Sequence, residues 1–184
     1  MITKRILVLA NSTKHYPKSC VAGRELAADG SGKNRWGDWI RPVSNHDEGA
    51  LDFGERRLAD GKDPKPLDIV RLSLSHSENN PLQPENWLIQ AGQTWTKEST
   101  LETQTLLSLV EQPENLWLDS GQKSDRVSAN VLHGLQNFQS LYLIRPAGFY
   151  FQIHSKLGMA IPRSNNAAYL IIEADTTILL SPIH

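Results

Sequence analysis

A mainly β chain with a helical middle is the fold class this sequence predicts, on three observations. Apolar, β-rich runs dominate both ends, the one well-formed amphipathic pattern lies between them, and the two kinds of element are segregated rather than alternating. Segregation argues against a doubly wound α/β sheet and for one or two small antiparallel barrels or sandwiches. A length of 184 residues with 39% hydrophobic content suits one domain of ordinary size or two very small ones, and argues against a large multidomain enzyme.

The elements follow in order. Ile2 to Ala10 is an extended apolar run that Asn11-Ser12-Thr13 should end as a turn. After Pro17, Cys20 to Leu26 begins a second strand. The cluster Ala28-Asp29-Gly30-Ser31-Gly32-Lys33-Asn34 is dense in turn formers, and Trp36 to Val43 resumes an extended pattern, so this stretch reads as a hairpin. Residues 44–66 are polar and carry Pro64 and Pro66, as a long loop would, before a strand over Leu67 to Ser75. In Pro81-Leu82-Gln83-Pro84-Glu85-Asn86-Trp87 the prolines forbid a helix interior or a central strand, which predicts an ordered connector.

Ser99 and Glu102 have the spacing of a capping box, and Leu101, Leu106, Leu107 and Val110 then share one helical face until Pro113. A second, weaker helix is expected over about Val127 to Leu135. Strands return at Ser140 to Arg145, Gly148 to His154 and Ala168 to Ala174. The domain reading is a first barrel over 1–95, a helical connector over 96–138 and a second half over 139–184.

Charge is uneven. Residues 1–45 carry a net +5 and residues 72–130 a net −5, although the whole chain sums to −1. The total argues against a strongly basic duplex binder, whereas the basic first quarter could hold an anion. The single cysteine, Cys20, excludes an internal disulfide, and the run Ile6-Leu7-Val8-Leu9-Ala10 is too short for a signal-peptide core or a membrane span. The expectation is a soluble, cytoplasmic protein without a membrane partner.

Several motifs resemble chemistry and fall short of it. Gly30-Ser31-Gly32-Lys33 lacks the upstream glycine of a phosphate loop, Ala27 standing there, and is followed by a strand instead of a helix. Cys20 with His15 nearby is the minimum for a thiol nucleophile, yet Cys20-Val21-Ala22-Gly23 reads more simply as a core strand. Asp47, Glu48, Asp52 and Glu55 could hold a hard cation but lie in a polar loop, where solvation accounts for them. The histidines show no zinc-ligand spacing, so no metal and no cofactor is expected.

More informative are Lys14, Lys18, Arg24, Arg35 and Arg41 interleaved with Trp36 and Trp39. Aromatic rings are stacking platforms and cations neutralise phosphate, a combination suited to single strands or nucleotides. Strand alternation puts Trp39 and Arg41 on one face and Ile40 on the other. The competing reading packs both indoles in the core with Arg41 paired to an acid. Gln83, Glu85 and Asn86 offer donors and acceptors for base edges or ribose, or else tie down a neighbouring cation and cap a turn.

The succession Arg5-Ile6-Leu7-Val8-Leu9-Ala10-Asn11-Ser12 with Lys14, then Lys18-Ser19-Cys20-Val21-Ala22-Gly23, Trp39-Ile40-Arg41-Pro42-Val43-Ser44 and Gln83-Pro84-Glu85-Asn86 resembles the dual OB-containing domain of prokaryotic proteins. Ser140-Leu141-Tyr142-Leu143-Ile144-Arg145-Pro146 and the Tyr169 strand resemble its second half. The resemblance implies two small OB-like antiparallel barrels in tandem, a bacterial defence or conflict context, and binding of nucleic acid or a nucleotide-like ligand. Ser12, Lys14, Lys18, Arg41, Glu85 and Asn86 match its polar points, and Trp39 joins them from the stacking argument. One departure stands at the end, where Thr176-Thr177-Ile178 replaces an expected Asp-Pro.

Together these features favour a non-catalytic module for single-stranded nucleic acid or a nucleotide-like ligand. The alternatives are an adaptor for a protein partner and a metal-assisted phosphodiester hydrolase using Glu48, Asp52 or Glu85.

Overall fold

The computed structural model describes residues 1–15, 17–46, 49–113, 139–145 and 178–180. Its elements are β1 (Ile2–His15), β2 (Lys18–Ala28), β3 (Asn34–Val43), a single helical turn α1 (Phe53–Arg56), β4 (Asp68–Ser77), β5 (Asn86–Ile89), β6 (Thr96–Thr100), a 3-10 helix (Thr103–Leu109), β7 (Tyr142–Ile144) and β8 (Ile178–Leu180).

The first five strands close into a barrel in the order β1-β2-β3-β5-β4, with β4 returning to β1. β1 achieves closure by serving two neighbours: Ile6 to His15 pair with β2, while Ile2 to Leu7 pair with β4. All barrel contacts are antiparallel except β3 with β5, which run parallel from Arg41↔Asn86 to Val43↔Leu88. β6 extends the sheet by pairing with the first residues of β4.

Strand alternation divides the apolar residues between two cores. Ile6, Val8, Val21, Ile40, Val70, Leu72 and Leu74 fill the barrel with Leu51, Leu58 and Trp95 from the connections. Leu7, Ala22, Leu26, Trp39 and Ile69 point outward, and they are covered by Leu106 and Leu109 of the 3-10 helix and by Leu141 and Leu143 of the β7 segment. The barrel wall near the middle of β1 is thus buried on both faces, which is why Ile6-Leu7-Val8 is apolar without interruption.

Close strand approach dictates Gly23. A Cβ there would lie 2.1 Å from the Leu7 carbonyl oxygen, and β1 is bulged between Val8 and Ala10 beside it. The turn between β2 and β3 is organised by Asp29, whose Oδ1 accepts from the Ser31 and Lys33 amides and the Ser31 hydroxyl. The glycine-rich run is therefore the hairpin turn the sequence suggests. In the long loop the Arg56 guanidinium is buried, paired in a fork with Asp63 and donating to the carbonyls of Pro17 and Leu51.

Several expectations are corrected. Asn11-Ser12-Thr13 is not a turn; β1 runs through it because β2 supplies partners as far as His15↔Lys18. Ser99 does not cap a helix. It lies in β6 opposite Ile69, since Thr96-Lys97-Glu98-Ser99-Thr100 can satisfy its backbone against β4. The turns that follow are 3-10, in which Leu106 and Leu109 eclipse at a spacing of three and both reach the outer core, leaving Leu107 56% exposed. Asn86–Ile89 forms β5, a strand concealed behind the prolines of the preceding connector.

A helical middle does not appear among the described residues: strand, 3-10 helix and extended chain occupy 96–113. The Val127–Leu135 helix and the strands at 148–154 and 168–174 lie outside the described residues. Among the described residues one barrel is complete, and of the expected second half they show the β7–β8 ladder, Tyr142↔Leu180 to Ile144↔Ile178. Among the described residues no helix is long and apolar enough to cross a membrane.

Candidate ligand-binding site

The most developed polar arrangement lies on the outer face of β2 and β3, where the β7 segment crosses it. Cross-strand register places Arg24 of β2 opposite Trp39 of β3, and the guanidinium lies 5.7 Å from the indole centroid. Arg24 Nε donates to the Gly37 carbonyl at 2.8 Å, and Nη1 reaches Glu111 Oε1 at 3.1 Å.

Glu111 is the hub. The backbone runs extended after the 3-10 helix, so the Glu111 amide donates to Leu143 O at 2.7 Å, and the Leu143 amide returns to Glu111 Oε2 at 2.9 Å. The same carboxylate accepts from Trp39 Nε1 at 3.2 Å and from Gln139 Nε2 at 2.8 Å. With Arg24 that makes donors from four residues on one carboxylate, which ties the β7 segment to the barrel.

Glu85 stands across the cavity from this hub. Its backbone carbonyl is fixed by the Arg41 amide at 2.8 Å, at the mouth of the parallel β3–β5 pair. Its side chain is buried, and Oε1 accepts from the Ser140 hydroxyl, while Oε2 has no donor among the described residues. Asn86 is buried too: Nδ2 donates to Gln83 Oε1 at 3.2 Å, and Oδ1 is left without a donor among the described residues. Arg24, Asp38, Trp39, Pro84, Glu85, Glu111 and Gln139 line an open recess of about 420 Å³, within the range of small-molecule sites. Tyr142 is affected by the same charges. Burial first, then the Glu111 and Glu85 carboxylates, push its phenol above the ordinary tyrosine range, which keeps it neutral.

The residues singled out in the sequence fare unequally. Trp39 is only 4% exposed and its N–H is committed to Glu111, so it is a core residue and not a stacking platform; the outer face of β3 is roofed by the 3-10 helix and the β7 segment. Arg41 is half-buried and its Nη2 donates at 2.9 Å to Gln83, a neutral amide, which leaves its charge uncompensated by that contact. Among the described residues the Glu85 side chain takes Ser140 and no neighbouring cation. Ser12 is exposed on β1 opposite Cys20, and Lys18 is half-buried at the start of β2. Lys14 belongs to β1, and its side chain lies outside the described part of the structure. Cys20 is half-buried, not a core residue. No hydrogen bond or ion pair among the described residues joins Ser12 or Lys18 to the Glu85 cavity.

Reasoning from sequence missed Glu111, Gln139 and Asp38. Glu111 sits in an unremarkable polar stretch before Pro113, and its partners come from positions 24, 39, 139 and 143. No local signal marks such a residue.

The acidic loop behaves differently from expectation. His46, Asp52 and Glu55 offer ligand atoms within 4.8 Å of one another, whereas Asp47 and Glu48 lie outside the described residues. Both Glu55 oxygens are already engaged, by Ser44 Oγ at 2.6 Å and the Asp52 amide at 2.8 Å, which gives the group a structural task in starting α1. Glu85, offered with Asp52 as a hydrolase carboxylate, is not part of that group.

A five-stranded barrel closed in this order, with its first strand shared between two neighbours, has the OB form. The family described as dual OB-containing domain matches residues 4–169. The chain belongs to that family. No curated protein and no solved structure matches it. Membership in the dual OB-containing family makes the protein a binding module in the general sense, since OB barrels present a ligand face on a fixed frame.

Proposed function

We propose that this dual OB-containing protein is a non-catalytic binding module for single-stranded nucleic acid or a nucleotide-like ligand, with part of the ligand entering the cavity lined by Trp39, Glu85 and Glu111. The observation that carries this reading is the Glu85 carboxylate, only 5% exposed, lining a cavity of about 420 Å³ with one oxygen unpaired among the described residues. A buried charged acceptor without a donor costs several kcal/mol, roughly 1–3 or more, and a ligand donor would recover it. Arg41 of β3, with Lys18 of β2 and Lys14 of β1, belongs to the basic first quarter that suits phosphate.

The burial of Trp39 shifts the reading from a chain stacked along an open face to a smaller group held in a recess. A place in bacterial defence rests on the family resemblance alone. Direct binding of labelled oligonucleotides and of mononucleotides at low salt tests the proposal. Binding that weakens with added salt and falls in Arg41→Ala is expected; absence of binding to both ligand classes sinks it.

A protein adaptor is the second reading, favoured by β6. Among the described residues it pairs only with β4 and with no strand beyond, and an open edge can accept a strand from a partner. Lys97 and Glu98 charge that edge, a common protection against such pairing, so this reading ranks lower.

A further inference from the structure

We infer that the Glu85 cavity reads the amino-bearing edge of a nucleobase and leaves the phosphate outside. This deepens the nucleotide reading and rests on it.

The charge of the cavity decides which part of a nucleotide can enter. Its described lining holds the three carboxylates Asp38, Glu85 and Glu111 against one guanidinium, that of Arg24. Arg24 is already spent on Glu111 and on the Gly37 carbonyl. A phosphate in this recess would meet a surplus of negative charge with no free cation among the described lining residues, so it is repelled. A group that donates hydrogen bonds is attracted.

Glu85 supplies the specific contact. Ser140 occupies Oε1, and Oε2, itself buried, has no partner among the described residues, so its acceptor capacity is unused there. Carboxylates accept from the exocyclic amino group of cytosine, and guanine presents a comparable amino donor beside its ring N–H. Uracil and thymine place a carbonyl oxygen where cytosine has the amino group, which sets two acceptors against each other. Pro84 offers an apolar wall to a flat heterocycle, and the cavity of about 420 Å³ admits one base.

Cytidine and uridine monophosphates differ at that one position and provide the test, with inorganic phosphate as the third probe, all titrated against the intact chain by calorimetry. The expected result is cytidine monophosphate bound about tenfold or more tightly than uridine monophosphate, with phosphate alone failing to displace it. Glu85→Gln, checked for folding by its denaturation midpoint, should reduce that preference to near unity. Equal affinity for the two nucleotides overturns base-edge recognition while leaving the nucleotide module standing, and displacement by phosphate overturns it as well. If neither nucleotide nor oligonucleotide binds, the module reading fails together with this one. The nucleotide comparison on the unaltered protein decides the matter even if Glu85→Gln does not fold.

Discussion

Trp39 donates its indole N–H to the Glu111 carboxylate, 3.2 Å from Oε2, across 72 residues of sequence. The bond joins the outer face of the barrel to the chain that leaves it, and Gln139 and Leu143 converge on the same carboxylate. Trp39 is therefore a fastener between two layers. Trp39→Phe keeps most of the ring and removes the donor, so it should destabilise the fold by about 1.5–3 kcal/mol, the range for a hydrogen bond to a charged group. Trp39→Ala adds a cavity and should cost about 3–5 kcal/mol. Urea denaturation measures both. Unchanged midpoints would mean that the indole is free in solution.

Gly23 presents a sterically stricter case. Its missing side chain leaves room for the Leu7 carbonyl, and the obstructing atoms are backbone, which cannot swing aside. Gly23→Ala is expected to destabilise by about 3 kcal/mol, whereas Gly30→Ala, with open space around it, should fall within about 0.5 kcal/mol of the parent. Comparing the two midpoints separates close packing from a general effect of removing glycine; equal midpoints would contradict the β1–β2 approach.

Asp68 ties the start of β4 to β6 and predicts a pH dependence. Burial pushes its carboxyl upward, but the Lys97 ammonium at 2.5 Å, the Lys65 amide and the Thr100 hydroxyl together hold it below the ordinary aspartate value. A folded value lower than the unfolded one stabilises the protein at neutral pH. That contribution is complete above about pH 4 and is lost as pH falls through the folded value. Asp68→Asn cannot titrate there, so the stability gap between parent and variant should narrow as the solution is acidified from neutral. Denaturation midpoints at neutral and acidic pH give the gap directly, and a gap that stays constant would refute the assignment.

The distribution of residues between sequence-legible and structure-dependent roles has a physical logic. Strands β1 to β4 are legible because alternation, β-branched content and turn chemistry are local, and Asp29-Gly30-Ser31-Gly32 marks its hairpin without help from elsewhere. β5 and β6 are not. Each owes its conformation to backbone partners in β3 or β4, and Ser99 would suit a helix start if β4 did not lie beside it. The first candidate site suffered from the same limit. Alternation separates Trp39 from Ile40 correctly, but a strand cannot reveal what covers its outer face.

Sequence by itself thus determined a mainly β chain, the early strands, the hairpin turn, the basic first quarter and the family, since each depends on neighbours in the chain or on recognisable residue runs. Tertiary structure alone decided that the barrel closes through β1 and β4, that Trp39 is sealed, and that Glu85 lines a cavity with one buried oxygen unpaired among the described residues. Burial and hydrogen-bond satisfaction are set by atoms brought together from distant positions, such as Glu85 with Ser140 and Trp39 with Glu111, and those meetings exist only once the chain has folded.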